Sequence, residues 1–283
     1  MINRRTALKL LGGTGIAAIA GHAIWIEPEQ LQVERYNLAD RPPFRPSDVT
    51  LQLVQVSDLH LKKIDGFAQK VATAVNQLKP DLIVLTGDII DRARNLPLLD
   101  QFLAMLDPAP AKYAILGNWE NYAGVNQTEL RTLYDRYNCP LLINASLIHE
   151  HQGRKLLITG LDDTVEGTPN LEQAMTGAKP QPNHLILAHA PDQHDLFSNA
   201  EIARLQPFQP QLMLSGHTHA GQITFLGWRP VLPRGSGRYV QGWYGDNSTL
   251  GLPLYVSRGI GGSGIRARLG SVPEVTLFEW PLQ

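Results

Sequence analysis

The chain has 283 residues, 43% of them hydrophobic and 18% charged, which is enough apolar content to bury a sizeable core and excludes a disordered polymer. With 25 basic and 26 acidic residues its net charge is -1, so no broad positive field exists and no nucleic-acid partner is expected. A single cysteine, Cys139, excludes an intrachain disulfide; standing before Pro140 and a Leu-Leu-Ile run, it reads as a buried thiol at the start of a strand.

The first residues run Asn3-Arg4-Arg5-Thr6-Ala7-Leu8-Lys9, followed by a Gly- and Ala-rich apolar stretch to Ala20, with no acidic residue before Glu27. A positive start, an apolar centre and Ala18-Ile19-Ala20 as a cleavage site fit a secretory signal, and the arginine pair resembles a twin-arginine signal. The apolar run is shorter than the ~20 residues a bilayer span needs, although an uncleaved membrane anchor stays open beside an ordinary amphipathic helix. Residues 1–26 are therefore read as a signal or anchor, which places the protein in the cell envelope or periplasm. Residues 27–49 read as a leader strand and a Pro-rich connector, and 50–283 as one domain, since no Gly/Ser linker divides them.

Leu51 to Val56 forms a strand ending at Ser57-Asp58. From Gly66 to Leu78, Phe67, Val71, Ala74, Val75 and Leu78 recur at helical spacing, and Pro80 stops that helix. A second strand at Asp81 to Thr86, a helix at Leu98 to Leu106, a third strand at Lys112 to Leu116 and a helix at Glu129 to Tyr137 complete the first half. This alternation predicts parallel βαβ units with ligands at the carboxyl ends of the strands. The second half carries short strands at Leu156 to Thr159, His184 to Ala188, Gln211 to Leu214, Pro253 to Val256 and Glu274 to Phe278, with one helix near Leu171 to Met175.

Chemistry-bearing residues sit just after these apolar runs: Asp58-Leu59-His60, Gly87-Asp88-Ile89-Ile90-Asp91, Gly117-Asn118, a lone His189 and Gly216-His217-Thr218-His219. Singly each has an ordinary explanation. An Asp-x-His is common by chance, a Gly-Asn is a turn, and a histidine after a buried strand is most often a satisfied core residue. Their occurrence in order, each at a strand end, is what carries weight. Carboxylate, imidazole and amide ligands without a thiolate suit divalent Mn, Fe or Zn, so a two-metal hydrolytic centre is the first expectation.

These motifs resemble the calcineurin-like metallophosphoesterase superfamily, whose signature is Asp-x-His, Gly-Asp-x-x-Asp, Gly-Asn-His-Asp/Glu, a lone His and Gly-His-x-His. The resemblance spans roughly residues 50 to 260. It implies an α/β fold, a four-layer αββα sandwich of two mixed sheets, and a binuclear-metal phosphoesterase cleaving phosphodiester, phosphomonoester or pyrophosphate bonds. It implies one metal on Asp58, His60, Asp88 and His219 and a second on Asp88, Asn118, His189 and His217, with Asp88 bridging. Asp91 supports the ligands by hydrogen bonding. The chain departs from the signature at Trp119, where the family histidine contacts phosphate or protonates the leaving group. Indole cannot transfer a proton in that role. His194 and Glu120 lie near motif loops as substitutes, and nothing in the sequence selects either.

Arg234 and Arg238, in an aromatic and basic stretch from Gly221 to Tyr244, and Arg258, in the glycine-rich stretch Val256 to Gly264, are the candidate substrate contacts. The first stretch suits an amphiphilic or lipid-linked phosphate ester; the second offers N–H groups that could cradle phosphate. A packed hairpin and a flexible turn are the ordinary explanations. Asp162-Asp163 could orient a metal-bound histidine, a solvated loop being the commoner outcome. The ending with Arg266 and Arg268 resembles the exported YkuE-like bacterial subgroup. That resemblance implies phosphodiesterase activity, and for some relatives cleavage of the pyrophosphate of UDP-diacylglucosamine in lipid A synthesis. A non-catalytic scaffold binding a protein partner is the competing class, favoured only by Trp119. Oligomeric state has no signal in the sequence.

Overall fold

Leu53 and Val54 are neighbours in one strand yet serve different cores, because successive side chains of a strand face opposite ways. The computed structural model describes residues 14–224, 227–245 and 251–283. The Arg4-Arg5 pair lies outside the described residues, as do Phe225 and Leu226 of the aromatic stretch. The strands are β1 (Gln32–Asn37), β2 (Val49–Val56), β3 (Leu82–Thr86), β4 (Ala111–Ile115), β5 (Ala145–His151), β6 (Arg154–Gly160), β7 (Asn183–Leu187), β8 (Leu212–Ser215), β9 (Gly242–Tyr244), β10 (Leu254–Val256) and β11 (Glu274–Leu282).

One sheet has the order β1-β11-β2-β3-β4, antiparallel only between β11 and β2. The other has the order β5-β6-β7-β8-β10-β9, antiparallel only at β5–β6 and β10–β9. Leu51 and Leu53 of the first sheet meet Leu156, Ile158, Leu185 and Leu212 of the second in a dry inter-sheet core. The outer face of the first sheet, through Val54, Ile83 and Leu85, is covered by α2 (Gly66–Gln77), α3 (Leu96–Met105) and α5 (Gln127–Asp135). The outer face of the second, through Leu157, Ile186 and Met213, is covered by α6 (Leu171–Ala174) and α8 (Asn199–Leu205). The result is the αββα layering that the resemblance implies.

Registry sets the stage for the site. Val56 pairs with Leu85 and Thr86 with Ile115, so β2, β3 and β4 end level; Leu187 pairs with Leu214 across β7 and β8. Gln55 Nε2 ties the sheets together at this rim, donating to Thr86 Oγ1 and to Ser215 O, each at 3.0 Å. Five loops therefore emerge side by side over the top of the inter-sheet core.

One local expectation changes. The Leu-Leu-Ile run is not a strand: Leu141 makes an isolated bridge to Ala114, and the strand begins at Ala145. Cys139 is fully buried and burial pushes its thiol well up, so it packs rather than reacts. At the N-terminus, residues 14–21 are helical (α1) and lead through turns at His22–Ile26 and Glu27–Glu29 into β1. Arg268 N donates to Ala23 O at 2.8 Å and Ser271 N to Glu27 Oε1 at 2.7 Å, which seats this segment on the domain. Among the described residues no helix is long and apolar enough to cross a membrane.

Candidate metal centre

Asp58, His60, Asp88, His217 and His219 all have positive φ, between 46° and 73°. That region costs an L-residue roughly 1–3 kcal/mol, so the surrounding structure must impose it. The imposition is visible. Asp58 N and His60 N donate to Gly87 O and Asp88 O at 3.0 Å, lacing the loop after β2 to the loop after β3. Glu120, in the short helix α4 (Asn118–Tyr122), accepts four backbone N–H groups: those of Asp88 and Gly117 at 2.9 Å, Ile89 at 2.7 Å and Ile90 at 3.1 Å. Burial, and then Asp88, push its carboxyl up to about 7 against the pull of those donors. Gly87 takes a φ of 86°, which lets the chain turn sharply out of β3. A Cβ on Gly216 would lie 2.2 Å from Asp58 Oδ2, so the two loops approach too closely for any side chain there.

The ligand atoms gather in two groups, Asp58 with His60 and His219, and Asp88 with His189 and His217, all buried. His189 Nε2 stands 3.2 Å from Asp88 Oδ2 and 3.2 Å from Asn118 Oδ1, and His217 Nδ1 stands 2.8 Å from the same Asn118 oxygen. Asp88 Oδ2 is also 3.7 Å from His60 Nε2, which puts it between the groups. Second nitrogens fix the rings. His189 Nδ1 donates to Thr86 O at 2.7 Å and His217 Nε2 to Arg234 O at 2.6 Å. His60 Nδ1 donates to Asp91, the supporting role expected of that carboxylate.

In the second group, then, once His189 gives up its Nε2 proton, the two ring lone pairs, the Asn118 oxygen and the Asp88 carboxylate converge with no donor among them. Acceptors facing acceptors repel unless a cation lies between, so this set fits a divalent ion. In the first group Arg268, fully buried, donates to His219 Nδ1 at 3.1 Å, leaving His219 Nε2 to donate to His60 Nε2 at 2.9 Å. A cation bound there displaces that proton. Without a cation the acidic neighbours hold a proton on His189 Nε2, facing Asp88, and a bound cation would take that proton's place. Burial lowers His189, yet Asp88, Asp58 and Asp163 pull it well above the imidazole range; burial raises Asp88, yet His189 holds it at about 2. Burial and His189 hold His217 down at about 4, a neutral ring ready to ligate.

A cavity of about 440 Å³ opens above Asp88, Asn118, His217 and His219. Its walls are Trp119, Ile223, Pro230, Val231, Pro233 and Ile265, with Arg234 at the edge. Of the three arginines expected at the substrate, Arg234 alone lines this cavity, donating to Val165 O at 3.3 Å. Arg238 pairs with Asp195 at 3.2 Å outside it, and Arg258 is held between Glu34 and Glu274, 2.7 Å from each, clamping β1 to β11. The glycine-rich loop is no phosphate cradle. The N–H groups of Gly259, Ile260, Gly261 and Ser263 are committed to Ser257 Oγ, to the carbonyls of Ser57 and Asp58, and to Gln222 Oε1. Asp162 and Asp163 are buried rather than solvated and bond no histidine ring. They cap their own loop through the N–H groups of Val165, Glu166 and Thr168.

Trp119 takes the place of the family histidine on the cavity wall. Its ring meets His60 edge-on at 6.1 Å and its Nε1 donates to Ser263 Oγ at 3.2 Å. His194 cannot replace it, because both ring nitrogens are spent, on Leu252 O at 2.7 Å and on Tyr239 Oη at 2.9 Å, away from the cavity. Glu120 is buried among N–H donors beneath the ligand loops. Apart from metal ligands, the only ionisable side chain that the described residues place on the cavity wall is Arg234.

A model of the calcineurin-like phosphoesterase family matches residues 51–221, the stretch that carries every one of these ligands. The chain belongs to the calcineurin-like phosphoesterase family. Among its relatives, the metallophosphoesterase YkuE of Bacillus subtilis is 28% identical over 98% of this chain and 97% of that protein. The phosphodiesterase YaeI of Escherichia coli is 29% identical over 99% of each. The UDP-2,3-diacylglucosamine pyrophosphatase LpxG of Chlamydia trachomatis is 27% identical over 89% of this chain and 90% of that protein. The chain is thus a metal-dependent phosphoester hydrolase with two metal-binding groups. Missing from the sequence reading were Arg268 and the true function of Glu120. A glutamate three residues after the Gly117 N-cap, placed to accept the Gly117 N–H, was a legible signal for the second, whereas nothing local marks an arginine that folds back 49 residues onto His219.

Proposed function

We propose that this phosphoesterase acts on phosphodiesters or pyrophosphates whose leaving group departs without a strong proton donor, and that it does so in the cell envelope as a member of the exported YkuE-like branch. One observation carries the reading: every ligand position is filled, while the position of the proton-donating histidine holds Trp119 and no other acid among the described residues lines the cavity. Divalent ions held by Asp58, His60 and His219 and by Asp88, His189 and His217 would activate a water and offset charge on the phosphoryl oxygens. The chain's own part is to orient and desolvate. His60, His189 and His217 are fixed through Asp91, Thr86 O and Arg234 O, Arg234 stands ready for a phosphate oxygen, and Trp119 with Val231 and Ile265 excludes water.

Relatives named as a phosphodiesterase and as a pyrophosphatase support the diester and pyrophosphate classes over monoesters. The lipid-linked pyrophosphate is the second reading, favoured by the apolar wall of Ile223, Val231 and Ile265. It conflicts with export, because a UDP-linked lipid is met in the cytoplasm unless an uncleaved anchor faces the domain inwards. A panel of mono- and diesters with graded leaving groups, including a lipid-linked pyrophosphate, tests both on one metal-analysed sample. A steep dependence on leaving-group acidity and preference for diesters or pyrophosphates is expected. Equal turnover of alkyl and aryl monoesters contradicts the proposal. N-terminal sequencing of envelope-fraction protein tests export, and recovery from the cytosol with Met1 intact speaks against it.

A further inference from the structure

Thirteen large hydrophobic side chains stand exposed among the described residues, and nine of them fall in three segments: five within residues 16–26, three within 228–232, and Ile265. A single exposed Leu or Ile is ordinary, but apolar surface gathered in one place marks an interaction site. Hydrogen bonds tie the first segment to the stretch that carries Ile265, and that stretch to Gln222. Arg268 N donates to Ala23 O at 2.8 Å, Leu269 N to Gln222 O at 3.0 Å, and Gln222 Nε2 to Ile265 O at 2.9 Å. Val231 and Ile265 both form part of the cavity wall above the metal ligands, which brings the second segment beside Ile265, so this apolar collar borders the mouth of the site on one side.

Resting on the reading of the chain as a phosphoesterase for amphiphilic substrates, we propose that the collar seats the protein on an anionic lipid surface, with the metal centre opening toward the headgroups. Composition favours a bilayer over a protein partner. Trp25 and Trp228, 72% and 68% exposed, are the residue type that settles at the membrane interface, and Arg229 and Arg234 stand in the same stretch as Trp228. Such cations add attraction to anionic headgroups. The apolar stretch at residues 16–26 continues the collar from the chain's N-terminal side, so an anchored helix and an interfacial site would act from the same face. A phosphate ester carried on an acyl lipid then reaches the metals from the surface, its apolar part lying along Val231 and Ile265.

The test is sedimentation of the metal-loaded full chain with vesicles of phosphatidylcholine alone and of phosphatidylcholine mixed with phosphatidylglycerol. The chain is expected to sediment with the anionic vesicles, and Trp228→Ser with Leu232→Ser is expected to reduce that partition about tenfold or more. Leu147→Ser with Ile148→Ser, an exposed apolar pair on the edge strand β5, serves as the control and should sediment like the unaltered chain. Melting temperature and bound metal verify that each variant is folded. Wild-type protein left in the supernatant, or a collar variant that sediments undiminished, overturns the proposal. A solution dimer broken by the collar variant, without vesicle binding, also overturns it by assigning the collar to a second copy. Turnover of a soluble chromogenic diester, read without vesicles, reports separately on the phosphoesterase reading.

Discussion

At Trp119 an indole stands where the resemblance expects a histidine that contacts phosphate or protonates the leaving group, and its one ring N–H is spent on Ser263. General acid catalysis contributes ~10²–10⁴-fold, so Trp119→His should raise turnover of esters with poor leaving groups by about tenfold or more. It should change esters with good leaving groups far less. A fall in turnover for both classes contradicts the role assigned to this position. Asp91 is argued to act through His60. Asp91→Ala removes the acceptor for His60 Nδ1 and should weaken metal binding or activity by about 10–100-fold, measured by competition with a chelator. Unchanged metal affinity would remove Asp91 from the supporting set. At this scale the ligands were legible because carboxylate, imidazole and amide followed each apolar run. The arginines were not legible, since Arg234 and Arg258 look alike in sequence and only the partners Glu34 and Glu274 separate them.

Among the elements, the strand-end loops are held by one carboxylate. Glu120 Oε1 serves Ile89 and Ile90, and Oε2 serves Asp88 and Gly117. Glu120→Gln turns an NH₂ toward two of those N–H groups, which should destabilise the fold by about 2 kcal/mol or more and loosen the positive-φ turn at Asp88. Urea denaturation of the metal-free protein measures it; a variant as stable as the parent would show that the turn does not depend on this clamp. The buried parallel strands β2, β3, β4, β7 and β8 were legible as continuous apolar runs, and α2, α3 and α5 by helical spacing, each within a few residues. Edge elements were harder to read. In β5, Leu147 and Ile148 are both exposed, so no alternation marks it, although its turn at Gln152-Gly153, both at positive φ, is a hairpin signal. The helix α8 was signalled by its Ser198-x-x-Glu201 capping box and was likewise passed over.

For the whole molecule, burial couples stability to pH through His184, beneath the second sheet and away from the metals. Burial lowers its imidazole to about 4, and Nε2 meets Thr159 Oγ1 at 2.9 Å. Above the ordinary value of about 6.5 the ring is neutral in both folded and unfolded chains. As pH falls below that value the unfolded chain takes up a proton that the folded one refuses, so stability declines, by an amount on the order of 3 kcal/mol at pH 4. His184→Gln should flatten the denaturation-versus-pH curve between pH 6.5 and 4; an unchanged slope would contradict this assignment. The two-sheet architecture followed from the resemblance, whereas the seating of the N-terminal segment depended on a contact, Arg268 N to Ala23 O, that crosses more than two hundred residues. The central claim is that two convergent ligand groups make one hydrolytic metal centre. Metal content and diester turnover, measured on the same sample before and after chelation and after Mn is restored, test it most directly. The account predicts two ions per chain, loss of turnover on chelation and its return with Mn, with Asp88→Ala failing to recover. Full turnover in the metal-free protein, or none against any phosphoester with both ions verified in place, would contradict it.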